Sequence, residues 1–124
     1  MDFVMQAAQT AMARFQQRKE GRAMPKLAII VTIEVTTGRR DQLLPLLMAH
    51  RARCLRDEPG ITLHFEVLVP YDSDTRVLSY EVYRDEGSFE VHRSGSSTAQ
   101  FREDTAQMIV KMHVTKYAPQ SPLS

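Results

Sequence analysis

Residues 58–92 read EPGITLHFEVLVPYDSDTRVLSYEVYRDEGSFEVH. Pro59-Gly60 stops any helix that precedes it. Ile61–Val69 then alternates, with Ile61, Leu63, Phe65, Val67 and Val69 on one side and Thr62, His64, Glu66 and Leu68 on the other. Pro70-Tyr71-Asp72-Ser73-Asp74 is turn chemistry, short enough to join that run to a second strand over Arg76–Tyr83 as a hairpin. On this strand Val77, Ser79, Glu81 and Tyr83 share a face, and Leu78, Tyr80 and Val82 share the other. Asp85 is placed to cap a short helix that carries Phe89 and His92.

Outward from the hairpin the pattern extends both ways. Leu27–Val35 is an Ile-, Val- and Thr-rich strand bounded by Pro25 and Gly38. Apolar residues on both its faces predict cover on both sides. After Thr37-Gly38, the residues Leu43, Leu44, Leu47, Arg51, Cys54 and Leu55 recur at helical spacing. Asp41 in the first turn and Arg51, Arg53 and Arg56 towards the end suit the helix dipole. Beyond His92, Ser94-Gly95-Ser96 breaks the chain, and Ser97-Thr98-Ala99-Gln100 matches a capping box. The stripe Phe101, Thr105, Met108, Ile109 and Met112 extends a helix from that box, with a last short strand over His113–Tyr117.

The order is strand, helix, strand, strand, helix, strand. It predicts an α+β fold of the ferredoxin-like β-α-β-β-α-β kind, with one antiparallel sheet and two helices on one face. The second face carries apolar residues, and a symmetric partner using the same face would cover it, so a homodimer through the sheet face is expected. The domain is expected over 25–118. An amphipathic helical extension is expected over 1–24, where Phe3, Val4, Ala8, Ala11, Met12 and Phe15 recur at helical spacing, and a loose tail over 119–124.

The chain has 124 residues, enough for one domain with a real core. Its net charge of +1 and interspersed charges give no electrostatic footprint for nucleic acid. No apolar run reaches the roughly 20 residues of a membrane span, so no membrane partner is expected. Cys54 is the single cysteine, which excludes an intramolecular disulfide and fits a reducing cytoplasm. One cysteine and the scattered His50, His64, His92 and His113 build no zinc spacing, and no metal is expected. Gly-rich phosphate loops and a GxSxG elbow are absent from the sequence.

Two residues carry the candidate chemistry. Glu81 sits in mid-strand, where carboxylates are depleted. It reads either as an ion-paired residue at a sheet edge or as a pocket carboxylate that orients a base or a substrate hydroxyl. His92 reads either as a surface imidazole at a helix C-terminus or as a general acid or base. His64, on the strand face opposite Phe65, is a further candidate for substrate contact. Tyr80, Tyr83, Phe65, Phe89 and Phe101 are core by type, and some can also line an apolar pocket. Cys54 reads as a core thiol.

Glu58-Pro59-Gly60, Phe65-Glu66-Val67-Leu68, Tyr80-Glu81-Val82-Tyr83-Arg84-Asp85 and Ser88-Phe89-Glu90-Val91-His92 together resemble the antibiotic biosynthesis monooxygenase domain, from about Leu27 to Tyr117. The resemblance rests on an EPG turn, a strand ending in E-x-Y and an F-x-x-H helix, in the family's order. It implies a ferredoxin-like subunit in a dimeric α+β barrel. Such proteins include cofactor-independent monooxygenases that oxidise quinol-type or polyketide-like aromatics with molecular oxygen. By the same resemblance His92 and Glu81 match the recurrent polar pair, and Phe65, Tyr83 and Phe101 are cavity-wall candidates. The chain has no tryptophan, which some members use in the pocket. Two other functions fit the fold: an isomerase of a small phosphorylated ketone, with Arg93 or Arg102 as the phosphate site, and a dimeric small-molecule-binding module without catalysis.

Overall fold

Strand β1 (Leu27–Val35) is one of the two interior strands of the sheet. In the computed structural model, which describes residues 25–121, β1 pairs antiparallel with β3 (Arg76–Tyr83) on one side and β4 (Ile109–Tyr117) on the other. Strand β2 (Thr62–Leu68) adds to the far side of β3, so the sheet order is β2-β3-β1-β4. This is the ferredoxin-like order expected from the hairpin. The helix expected over 1–24 and tail residues 122–124 lie outside the described residues.

Helix α1 (Arg40–Asp57) lies between β1 and β2 in the chain, and α2 (Glu86–Arg93) and α3 (Ser96–Thr105) lie between β3 and β4. Leu43, Leu47, His50 and Cys54 form the buried face of α1. That spacing of four, three and four is a helical stripe, and its third member is His50 rather than Arg51. Asp85 caps α2 as expected: its carboxylate accepts from the Ser88 amide at 2.7 Å. Burial pushes the Asp85 carboxyl up, but that amide bond and Arg84 outweigh it and hold the group below its ordinary range.

The core lies between the helices and one face of the sheet. Leu27, Ile29, Val31, Ile33 and Val35 of β1 enter it with Leu43, Leu47, Phe65, Val77, Tyr83, Phe89 and Phe101. The register sets Ile29 opposite Glu81 and Glu81 opposite Phe65, so Glu81 stands on the covered face among these apolar side chains.

Three local expectations are corrected. The register of β2 shifts between Thr62 and His64. A residue inserted at such a bulge reverses the alternation, so Thr62 is buried on the covered face while Leu63 is exposed. Ser97 does not close a capping box: α3 starts at Ser96 with Gly95 as N-cap and no side-chain cap bond. Helix α3 also ends at Thr105, and Ile109 and Met112 belong to β4. The spacing Met108, Ile109, Met112 fits a helix. Met112, Val114 and Lys116 also fit a strand, and full pairing with β1 along the β-branched run decides the outcome.

Candidate functional site

Glu81 is buried, with 4% of its surface exposed. A buried carboxylate needs donors, and its two oxygens take them from its own strand. Ser79 Oγ donates to Oε2 at 2.5 Å, and the Tyr83 hydroxyl donates to Oε1. Residues at i and i±2 of a strand point the same way, so β3 supplies all three groups without any other element. Burial first, then the Glu81 charge, pushes the Tyr83 phenol well above its usual range, so Tyr83 stays a donor.

His92 comes from the last turn of α2 and hangs over this strand. Its Nε2 lies 3.7 Å from Glu81 Oε1. Its Nδ1 lies 3.0 Å from Glu58 Oε1, and since a carboxylate only accepts, Nδ1–H is the donor. Glu58 follows directly on α1, and its amide bonds back to the Cys54 carbonyl. Gly60 then adopts φ 76°, a left-handed conformation that suits glycine, and turns the chain into β2. Thr62, on the covered face because of the bulge, donates its hydroxyl to Glu58 Oε1 at 3.0 Å. The Thr98 hydroxyl and the Gly95 amide both bond to the His92 carbonyl, which fixes the end of α2 against the start of α3.

A second imidazole stands beside the first. His50 of α1 is buried, with its ring 5.5 Å from that of His92 and stacked on Phe101 at 5.0 Å. His50 Nδ1 is 2.9 Å from Ser97 Oγ, which also accepts from Arg53 Nε at 2.9 Å. Burial, followed by the neighbouring His92 and Arg53, lowers the His50 pKa to about 4, so the ring is neutral at physiological pH. Cys54, one turn on, is fully buried, and burial together with Glu58 raises its thiol to about 12. A thiol with that pKa is no nucleophile at neutral pH.

His50, Glu81 and His92 edge a cavity of about 110 Å³ between sheet and helices. Its apolar wall includes Ile29, Val31, Phe65, Phe89 and Phe101, and Ser79 and Thr98 join those three polar residues on it. Arg93 and Arg102 lie on the same lining. Arg93 is tied to Glu90 at 2.7 Å.

The structure therefore brings together His92, Glu81, Phe65 and Phe101. Tyr83 stands behind Glu81 as its hydrogen-bond donor rather than on the cavity wall. His64 is not brought to the site. It lies on the opposite sheet face, half-exposed, with its ring against Tyr80 and 3.5 Å from Glu66. Sequence reasoning missed Glu58, His50, Ser79 and Ser97. Glu58 read only as part of a helix stop, whereas the Ser79–Glu81–Tyr83 spacing and the four-residue separation of His50 and Cys54 were signals in plain sight.

A family model described as antibiotic biosynthesis monooxygenase matches residues 27–104. Solved structures share the fold at low identity. One is a protein of Nitrosomonas europaea that carries the same family designation, with a TM-score of 0.74, 20% identity, and 82% of this chain and 96% of that one covered. Another is a protein of Pseudomonas aeruginosa, with a TM-score of 0.73, 19% identity, and coverage of 82% and 100%. A third is SnoaB of Streptomyces nogalater, a cofactor-independent oxygenase, with a TM-score of 0.68, 11% identity, and coverage of 80% and 97%. No curated protein matches the sequence. Among the described residues no helix is long and apolar enough to cross a membrane.

Proposed function

The chain belongs to the antibiotic biosynthesis monooxygenase family, and from that premise we propose that it is a cofactor-independent monooxygenase of a quinol or polyketide-like aromatic. The observation that carries this reading is the His92 imidazole, held at Nδ1 by Glu58 and with Nε2 turned to Glu81 beside an apolar cavity. In this reading His92 Nε2 takes the proton of a substrate hydroxyl. Glu58 keeps the tautomer that leaves Nε2 unprotonated and stabilises the imidazolium that forms. The deprotonated aromatic is electron-rich and reacts with oxygen. One oxygen atom enters the substrate and the other leaves as water, with both electrons and both hydrogens supplied by the substrate. Phe65, Phe89 and Phe101 hold the ring and keep water from the intermediate.

Glu81 is not the carboxylate that fixes the base, a part that falls to Glu58. Already holding two hydroxyl donors, Glu81 orients the Nε2 side of the site and gives the developing imidazolium a second negative neighbour. The working unit is a homodimer through the open sheet face, in the cytoplasm. The apolar residues of that face and the single cysteine support this part of the reading. Arg93 and Arg102 on the cavity lining favour one second reading, the isomerase of a small phosphorylated ketone.

The test is oxygen uptake by the purified protein, freed of flavin and metal, with a panel of quinols. Uptake is expected in wild type and is expected to fall by about 10²–10⁴-fold in His92→Ala, the range for loss of a general base. Equal rates in both proteins would remove His92 as the base. No uptake with any quinol, together with turnover of a phosphorylated ketone, would establish the isomerase instead.

A further inference from the structure

We propose that His50, Cys54 and His92 form a binding site for a thiophilic transition-metal ion such as Zn²⁺ or Cu⁺. The two readings use His92 in different forms: an ion on Nδ1 leaves the ring proton on Nε2, so the proposed oxidation belongs to the ion-free chain. One ligand atom from each of these three buried residues lies within 4.8 Å of the other two. Cys54 Sγ is 3.7 Å from both His50 ring nitrogens and 3.7 Å from His92 Nδ1. Bond lengths of ~2.3 Å to sulfur and ~2.0 Å to nitrogen set the two atoms about 3.5 Å apart across a tetrahedral ion. The sulfur–nitrogen separations already match that value to a few tenths of an ångström.

The surroundings fit as the sulfur–nitrogen distances do. A ligating histidine usually donates its other ring N–H to a fixed acceptor. Ser97 Oγ stands 2.9 Å from His50 Nδ1, and a hydroxyl oxygen has lone pairs for both Arg53 and His50, which leaves His50 Nε2 for the metal. If His92 ligates through Nδ1, its proton sits on Nε2, which faces Glu81 Oε1 at 3.7 Å. Both imidazoles thus have an acceptor waiting on the side away from the ion. Glu58 Oε1, now 3.0 Å from His92 Nδ1, would give up that bond and becomes the nearest carboxylate for a fourth position. The ion displaces the thiol proton to solvent, and the net charge of thiolate, two neutral imidazoles and a nearby carboxylate suits a mono- or divalent cation. His50 and His92 border the cavity, which provides the way in.

Helix geometry explains why the sequence hides this site. His50 and Cys54 are four apart on one face of α1, and the third ligand arrives from α2, 38 residues further on. The proposal departs from the reading of the scattered histidines as unable to bind metal.

The test is a Co²⁺ titration of the full-length, chelator-treated protein, read as thiolate-to-cobalt charge-transfer absorption. Wild type is expected to saturate at one ion per chain with the band present. Zn²⁺ is expected to bleach the band and to raise the melting temperature. The chain has a single cysteine, so Cys54→Ala is expected to lose the band and the Zn²⁺ shift together. His50→Gln is expected to weaken affinity by at least tenfold, and a His64→Ala/His113→Ala double variant to leave it unchanged. Should Cys54→Ala or His50→Gln fail to fold, the wild-type band and its insensitivity to the double variant still decide the matter. No band in wild type at stoichiometric Co²⁺, or a Zn²⁺ shift that survives Cys54→Ala, would overturn the proposal.

Discussion

On the covered face of the sheet, His92 and Glu58 are 3.0 Å apart with side chains 7% and 14% exposed. On the opposite face, His64 and Glu66 are 3.5 Å apart with side chains 46% and 57% exposed. The residue types are the same and the distances differ little. What differs is water. In the single subunit the exposed pair competes with solvent and is screened by salt, so it contributes ~0–1 kcal/mol there. The buried pair has lost most of its hydration and depends on named neighbours: Thr62 on Glu58, and Ser79 and Tyr83 on Glu81. Arg76 and Glu34 repeat the exposed pattern at 3.8 Å. The covered face turns polar residues into a network in which each position constrains the next, while the open face leaves them interchangeable.

If the contrast is one of burial, acid should expose it most strongly. His50 is neutral in the fold, with a pKa lowered to about 4 by burial first and by His92 and Arg53 next. The unfolded chain binds a proton there below about pH 6.5, whereas the folded chain does not until near pH 4. The unfolded state therefore holds more protons across that window, and stability falls as pH falls through it. The expected loss from this one group is about 3 kcal/mol between those limits. Urea unfolding of metal-free protein at a series of pH values measures it, and His50→Gln should flatten the profile by that amount. A profile left unchanged by His50→Gln would mean that the covered face does not exclude water as described.

A smaller effect separates the two faces at their carboxylates. Glu81→Leu removes the acceptor of two buried hydroxyls, and each donor left without a partner costs ~1–3 kcal/mol. Partial replacement of the lost bonds and the gain in apolar burial bring the expected net loss to about 2 kcal/mol. Glu34→Leu across the sheet should stay within about 0.5 kcal/mol of wild type. The midpoints of urea unfolding compare the two directly, and equal losses would erase the distinction between the faces.

How much of this contrast was legible beforehand follows the same line. The alternation of β3 placed Glu81 and Tyr83 on one face, and the Asp85 cap located α2 and therefore His92, because these are local patterns. The strand order came from the split pattern of elements. Glu58 was not legible as a site residue, because its role depends on a left-handed Gly60 and on an α2 residue 34 positions away. Thr62 was assigned to the wrong face because a bulge does not show in an alternating pattern that Leu63 also fits. Arg51 fits the stripe in the sequence as well as His50 does, since a long cation at the margin of a stripe looks as amphipathic as an imidazole within it. The split between α3 and β4 failed for a different reason. Met108, Ile109 and Met112 fit a helix while Met112, Val114 and Lys116 fit a strand, and the pairing with β1 that decides between them is not local.

Helix α2 offers a test between the strong and the weak effects. Asp85 accepts from the Ser88 amide and so fixes the first turn of the helix whose last turn carries His92. Asp85→Ala should cost about 1 kcal/mol, the usual worth of a cap, with Asp85→Asn recovering most of it. Stability is the direct readout. Hydrogen exchange at the α2 amides is the sharper one, because loss of a cap frays a helix locally before it unfolds the domain. Uniform exchange across α2 and β3 would mean that the His92 side of the site is held by packing alone.

The smallest effect is expected at the pair that looks most like the site. In the monomer, at protein concentrations below dimerisation, a double-mutant cycle of His64→Ala and Glu66→Ala should give a coupling energy below about 0.5 kcal/mol, falling further in high salt. The same cycle on His92→Ala and Glu58→Ala should give more, because each single substitution there leaves a buried partner without its hydrogen bond. The comparison has an internal control in Tyr80, whose ring packs on His64 at 5.3 Å: its loss in a Tyr80→Leu background isolates the ion pair from the aromatic contact. If the exposed cycle matched the buried one, distance alone would govern these pairs. If it vanished at high salt while the buried one persisted, the difference would belong to solvent, and the covered face would owe its chemistry to the water it excludes.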